Sequence, residues 1–184
     1  MNKNKVAIFS KVSLNQFIKD YKEIFILVPK PVLDKYECKT EEEYLSLIWD
    51  NIELPIRSTT GSCGYDFMCP IDLTLFKHTS DTAKIPTGIR CEIEDGWFLQ
   101  AVPRSSMGFK YGMKLSNTLG IIDSDYAFAK NEGHIMAKIK IEDAPQLVIN
   151  RGDKFIQGIY LPYGITIDDD VTAIRTGGIG STGR

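Results

Sequence analysis

The sequence predicts a mainly β protein, an antiparallel sandwich or barrel with a jelly roll among the leading arrangements, preceded by a short, partly helical extension. Three observations carry that reading. Beyond residue 53 the apolar residues alternate or cluster over strand lengths, in "DFMCPIDLTLF", "TAKIPTGIRCEI", "GWFLQAV", "HIMAKIKIE", "LVI", "DKFIQGIYLPY" and "DVTAI". Glycine, proline, asparagine and aspartate punctuate those runs closely, and many short strands at close spacing are how such all-β folds are written. Helical periodicity is confined to the first 52 residues.

In that extension two helices are expected. Ser13 followed by Gln16 fits a capping box opening "LNQFIKDY", and Thr40 followed by Glu43 fits another opening "EEEYLSLIWDNI". Pro29 and Pro31 separate them. Tyr44, Leu47 and Ile48 recur at helical spacing and predict one buried stripe, packed on the protein's own core. The division is therefore an extension over 1–52, a barrel over 53–174, and a glycine-rich segment over 175–184.

Composition narrows the function. With 184 residues, 43% apolar and 25% charged, the chain can bury a core without staples. A net charge of −2 argues against stable, sequence-blind nucleic-acid binding, which needs a cationic face. The cysteines, Cys38, Cys63, Cys69 and Cys91, form no C-x-x-C pair, so they read as reduced thiols rather than a zinc site. No apolar run approaches a membrane span, and the opening residues lack a signal-peptide core, so a cytoplasmic protein is expected.

The chemistry concentrates in "PRSSMGFKYGMKLSNTLGIIDSDY", residues 103–126. Arg104 offers a planar fork of donors suited to phosphate or carboxylate, and Ser105 and Ser106 add hydroxyls beside it. Taken alone, "PRSS" favours a solvated loop with a surface salt bridge, because such tetrapeptides are common. Asp123 and Asp125 flank Ser124; on extended backbone both carboxylates share a face, where they want a cation, an arginine or a proton between them. A single carboxylate there can instead accept a proton from water. Tyr126 offers a flat face for a sugar or base. "RGDKFIQG" supplies Asp153, a partner for an arginine, and Gln157, a neutral donor to a phosphoryl oxygen. The tail "TGGIGSTGR" is rich in unobstructed backbone N–H groups able to wrap an anion, without Walker spacing.

These pieces, in this order, resemble the trimeric dUTPase family. "GYDF" at 64–67, "PRSS" at 103–106, "NTLGIIDSDY" at 117–126, "RGDKFIQG" at 151–158 and "GGIGSTG" at 177–183 look like its five motifs, and the whole is most similar to the dUTPases of Gram-positive bacteria and their phages. The resemblance implies a jelly-roll-like β-barrel and a homotrimer with shared active sites. It implies hydrolysis of dUTP to dUMP and pyrophosphate, which keeps uracil out of DNA and supplies dUMP for dTMP synthesis, with Mg2+ chelated by the triphosphate. Asp123 would then deprotonate the attacking water, and Tyr126 would stack under the deoxyribose and exclude a 2′-hydroxyl. Asn117, with the backbone around Gly120 and Ile122, would read the uracil edge. Arg104 and Asp153 would bridge subunits, Ser105, Ser106 and Gln157 would meet phosphate oxygens, and Asp66 would hold a magnesium-bound water. Ile179, Gly180, Ser181 and Thr182 would close over the nucleotide, with Arg175 near the γ-phosphate.

Three departures from the family pattern stand out. Ile179 replaces the usual phenylalanine over the uracil, Arg175 lies one residue closer to the glycines, and "AFAKNEG", residues 127–133, lengthens the hairpin beside the site. That insertion also admits an alternative, a regulatory protein that binds a repressor or another partner on the same fold with weak or no catalysis. A dCTP deaminase is disfavoured, because the position at which that family carries its catalytic glutamate is Lys138 here.

Overall fold

A computed structural model of the chain describes residues 4–25, 27–77, 82–175 and 177. All its strand pairings are antiparallel. A four-stranded sheet runs in the order β2 (Tyr65–Met68), β11 (Lys154–Pro162), β6 (Trp97–Pro103) and β8 (Gly120–Ile122). A second sheet places β4 (Ala83–Pro86), β9 (Met136–Lys140) and β7 (Lys114–Leu115) side by side, and β3 (Leu73–Phe76) pairs with β10 (Gln146–Ile149). The inward positions carry the core: Phe67, Ile85, Leu99, Ile139, Leu147, Ile149, Phe155 and Ile156 are all but sealed from solvent. Gly158 exists for packing, since a Cβ there would stand 2.7 Å from Leu99 Cδ1.

The extension holds more than its two expected helices. It opens with a strand, β1 (Ala7–Lys11), paired residue by residue to β5 (Ile89–Ile93). That strand is too short for periodicity to reveal. Helix α1 (Leu14–Ile24) begins at Ser13, whose hydroxyl caps the Gln16 N–H at 3.1 Å. The reciprocal half of the capping box does not form, because Gln16 turns inward to Asp20 at 2.8 Å. Pro31 does not merely separate helices: it starts α2 (Lys30–Lys35), in the first turn where its missing N–H costs nothing. Helix α3 (Glu41–Asp50) is capped by Thr40 and buries Tyr44, Leu45 and Ile48, with Leu47 only half-buried. Trp49 donates its indole N–H to Val12 O at 2.8 Å, and Phe17, Val12 and Leu45 are completely buried. The extension thus shares one continuous core with the barrel.

Two further expectations change. Residues 105–111 form a short helix, α4 (Ser105–Tyr111), closed by Gly112 in the left-handed region at φ 60. No core stripe announces it, because none of its residues is buried. The segment "DVTAI" forms no strand; it runs exposed past the barrel with Ile174 86% accessible.

Candidate functional site

Two cavities collect most of the expected site residues. The first, about 230 Å³, is lined by Asn117, Gly120, Ile122, Asp123, Tyr126 and Arg175 among others. Strand β8 pairs with β6, matching Gly120 to Ala101 and Ile122 to Leu99, and delivers Asp123 to the rim. Gly120 eases that approach, since a Cβ would lie 3.0 Å from the Ala101 methyl. Asn117 sits in the turn between β7 and β8, where Thr118 takes φ 67.

Asp123 ends the extended run, and Ser124–Phe128 wind into a 3-10 turn. The two acids therefore do not share a strand face as extended backbone would dictate. They converge all the same on one cation: Arg175 Nη2 lies 2.5 Å from Asp123 Oδ2 and its Nε 2.7 Å from Asp125 Oδ1. The same guanidinium stands 5.6 Å from the Tyr126 ring centre. Tyr126 is buried, its hydroxyl donating to His134 O and accepting from Asn131 Nδ2, each at 2.9 Å. Burial pushes its phenol above the ordinary value, so it stays protonated.

The second cavity, about 380 Å³, is lined by Ser58, Ser62, Gly64, Asp66, Arg104, Ser105, Ser106 and Gln157. Arg104 precedes α4, fixed by its N–H to Phe155 O at 3.1 Å. Asp66 lies opposite Gln157 on paired strands. Gly64 leaves room for the Gln157 amide, which a Cβ would meet at 2.4 Å.

Arg104 does not pair with Asp153 within the chain. Its Nε meets Asp66 Oδ1 at 3.0 Å, while Asp153 closes the preceding turn by accepting from Asn150 N–H at 2.8 Å and lines neither cavity. Asp66 is correspondingly well occupied: Lys154 Nζ at 3.0 Å and Ser58 Oγ at 2.8 Å take its second oxygen. Burial alone would raise the Asp66 carboxyl, but the bonds from Lys154 and Ser58 and the charge of Arg104 outweigh it and hold the group below its ordinary range. Such a carboxylate suits cation-anchoring better than direct metal ligation. No cluster of three metal-binding side chains occurs among the described residues. Lys154 and Ser58 went unnoticed in the sequence; Lys154 stood inside "RGDKFIQG", but only the strand register reveals its partner. Ile179, Gly180, Ser181 and Thr182 lie outside the described residues.

The two cavities lie on opposite sides of the four-stranded sheet. Ile156 and Gln157 are successive residues of β11, so their side chains point to opposite faces. Ile156 lines the first cavity and Gln157 the second.

The family model for dUTPase matches residues 50–183. The chain belongs to the dUTPase family. The deoxyuridine 5′-triphosphate nucleotidohydrolase of Lactococcus lactis is 34% identical over 135 residues, covering 72% of this chain and 89% of its own length. Among solved structures, the dUTPase of Streptococcus mutans is similar with a TM-score of 0.55 and 32% identity, over 61% of this chain and 88% of that one. The dUTPase of phage phi11 of S. aureus, a structure showing a species-specific insert, shares the fold with a TM-score of 0.53 at 21% identity, over 68% and 92% of the two chains. The family match begins at residue 50, so α1 and its neighbours precede it. No helix among the described residues is long and apolar enough to cross a membrane.

Proposed function

We propose that this dUTPase hydrolyses magnesium-bound dUTP to dUMP and pyrophosphate, at sites completed between copies of the chain in a homotrimer. One observation carries the assembly: the cavity holding Asp123 and Tyr126 and the cleft holding Arg104 and Gln157 open on opposite faces of one sheet. A single nucleotide reaches both kinds of surface only when they come from different copies.

In such a site the turn around Asn117 and the β8 backbone read the uracil edge. The Tyr126 ring lies against the deoxyribose and leaves no room for a 2′-hydroxyl. Asp123 takes a proton from the water that attacks the α-phosphorus. Donors from Arg104, Ser105, Ser106 and Gln157 meet the charge that builds on the phosphate oxygens. Magnesium chelated by the triphosphate would supply charge neutralisation; Asp66 anchors Arg104 and Lys154 and would hold a magnesium-bound water. Arg175, now paired with Asp123, must release that carboxylate before it can act as a base. Ile179, Gly180, Ser181 and Thr182, outside the described residues, would close over the nucleotide. A cytoplasmic enzyme of nucleotide metabolism follows from this reading.

The insertion, which admitted a regulatory alternative, turns Asn131 and Glu132 toward its own chain. Pyrophosphate release from dUTP, measured against Asp123→Asn, tests the hydrolase directly. Mixing tests the shared site. Asp123→Asn and Gln157→Ala, each inactive alone, should regain a fraction of wild-type turnover when unfolded and refolded together. Mixed oligomers with no activity would overturn the shared-site reading.

A further inference from the structure

The family match leaves residues 4–49 without a role, and the insertion at 127–133 likewise departs from the family pattern. In the structure these two features bind each other. At the start of α1, Ser13 donates both its backbone N–H and its hydroxyl to Glu132, at 2.7 Å each. This is where the missing half of the capping box went: Glu132 takes the place that the Gln16 side chain would have filled. Glu132 adopts φ 57, a left-handed conformation costly for a residue with a Cβ, and it is followed by Gly133 at φ 69. Gly133 itself tolerates no side chain, since a Cβ would stand 2.6 Å from Ala127 Cα. Arg90, on the strand that pairs with β1, pins the loop from below through Glu132 O at 2.9 Å and Ala127 O at 2.8 Å.

About two turns further along α1, Asp20 reaches His134, which is wholly buried. Gly88 N–H donates to His134 Nε2 at 2.7 Å, so Nδ1 carries the hydrogen and donates to Asp20 Oδ2 at 2.6 Å. Gln16 supports the same oxygen, and the Phe17 ring lies 6.2 Å from the imidazole. The carbonyl of this same His134 accepts the Tyr126 hydroxyl. An unbroken chain of bonds thus runs from a buried acid on α1 to the phenol of the ring that faces the nucleotide pocket.

We infer that the N-terminal helix is a built-in buttress for sugar selection: Asp20 and Glu132 are positioning residues that, through His134 and the insertion, fix the Tyr126 ring. The inference rests on the reading of Tyr126 as the wall against a 2′-hydroxyl. A ring held at one edge by two hydrogen bonds excludes one extra oxygen; a ring free to tilt gives way. Small displacements of this kind alter rates by factors of about ten to a hundred.

The test compares kcat/KM for dUTP and for UTP in the full-length protein and its variants. Asp20→Ala should lower the dUTP-to-UTP ratio about ten-fold, mainly by raising turnover of UTP. Asp20→Asn keeps an acceptor oxygen for His134 and should hold the ratio within about two-fold of wild type. Tyr126→Phe removes the anchored hydroxyl and should lower the ratio too. The double variant Asp20→Ala/Tyr126→Phe should lose no more than the larger single loss, because both cut one chain. Folded Asp20→Ala with a wild-type ratio, or losses that simply add, would overturn the buttress. Should Asp20→Ala fail to fold, Glu132→Ala decides, since its side chain sits at the protein surface: a fall of about three-fold supports the inference and an unchanged ratio rejects it. A general structural weakening would slow both nucleotides alike and leave the ratio in place. A wild-type protein that releases no pyrophosphate from dUTP removes the hydrolase reading itself, whereas active enzyme with unmoved ratios removes only the buttress.

Discussion

Residues 4–52 and residues 163–175 both lie outside the barrel strands, yet they treat their apolar side chains in opposite ways. The first stretch seals Val12, Phe17 and Leu45 from solvent, caps its helices and ties Lys11 to the carbonyls of Trp49 and Asp50. The second leaves Ile165 73% and Val171 76% accessible and Ile167 fully so. It grips its own barrel at its two ends: Tyr163 N–H donates to Gly96 O at 3.0 Å, and Arg175 holds two carboxylates. Apolar side chains left this exposed in a row gain nothing from their own chain, and burying each against a neighbour would contribute about 1.5–3 kcal/mol. The amino-terminal end thus builds a core within one chain, though Ile8 and Leu27 stay exposed, whereas the carboxy-terminal end builds none among the described residues.

Activity should break that symmetry most sharply. Asp123→Asn, which leaves the amino-terminal end untouched and weakens only one Arg175 contact at the other, should cut kcat by about a hundred- to ten-thousand-fold, the span of a lost general base. Removing residues 164–184 should reduce activity nearly as far while shifting the thermal midpoint of the barrel by no more than a few degrees, since none of the described residues among them belongs to the core. Removing residues 1–52 should do the reverse and prevent soluble folding, because it strips a continuous part of the core. Phe17→Ala is the milder form and should cost about 3–5 kcal/mol in chemical denaturation. If the N-terminal truncation melts like the parent, the extension is a passenger and the contrast is lost.

Smaller, and confined to the C-terminal end, is the effect of Ile179. An aliphatic side chain excludes water but does not stack on a uracil ring, and an aromatic pair contributes about 0.5–1.5 kcal/mol beyond its buried area. Ile179→Phe should therefore raise kcat/KM for dUTP several-fold. An unchanged or lower value would mean that this chain closes its site in another way.

How much of this was legible in the sequence depended on what each residue answers to. The barrel strands were readable because alternation reports burial directly, and Ser13 and Thr40 announced their helices because a cap is a local bond. Asp123, Asn117 and Tyr126 were found from their motif, and the structure brings them to one cavity. What escaped was set by pairing across long separations. Strand β1 is defined by β5, some eighty residues away, and the partner of Arg104 is fixed by the register of β2 against β11 rather than by neighbours in sequence. The acids at 123 and 125 converge on an arginine, one of the three partners expected, through a tight turn instead of a shared strand face. The bond between Ser13 and Glu132 spans 119 residues, and no local rule could have pointed to it.

The finest distinction between the two ends is electrostatic. Asp20 belongs to the amino-terminal end. Burial alone would raise its carboxyl, but the hydrogen bonds from His134 and Gln16 prevail and hold it below the ordinary value of 3.8. An acid whose folded value is depressed contributes stability that is fully present above the unfolded value and lost as pH falls through the folded one. The wild type should therefore exceed Asp20→Asn in thermal midpoint at neutral pH, and the gap should begin to close as pH drops below about 4. Asp66, also depressed, titrates in both proteins and cancels from the comparison. The expected gap is a few degrees at neutral pH, read by circular dichroism melts at pH 7, 5, 4 and 3. A gap that stays constant from pH 7 to 3, or widens in acid, would mean that the charge of Asp20 contributes nothing to the folded state and that its hydrogen bonds act through geometry alone.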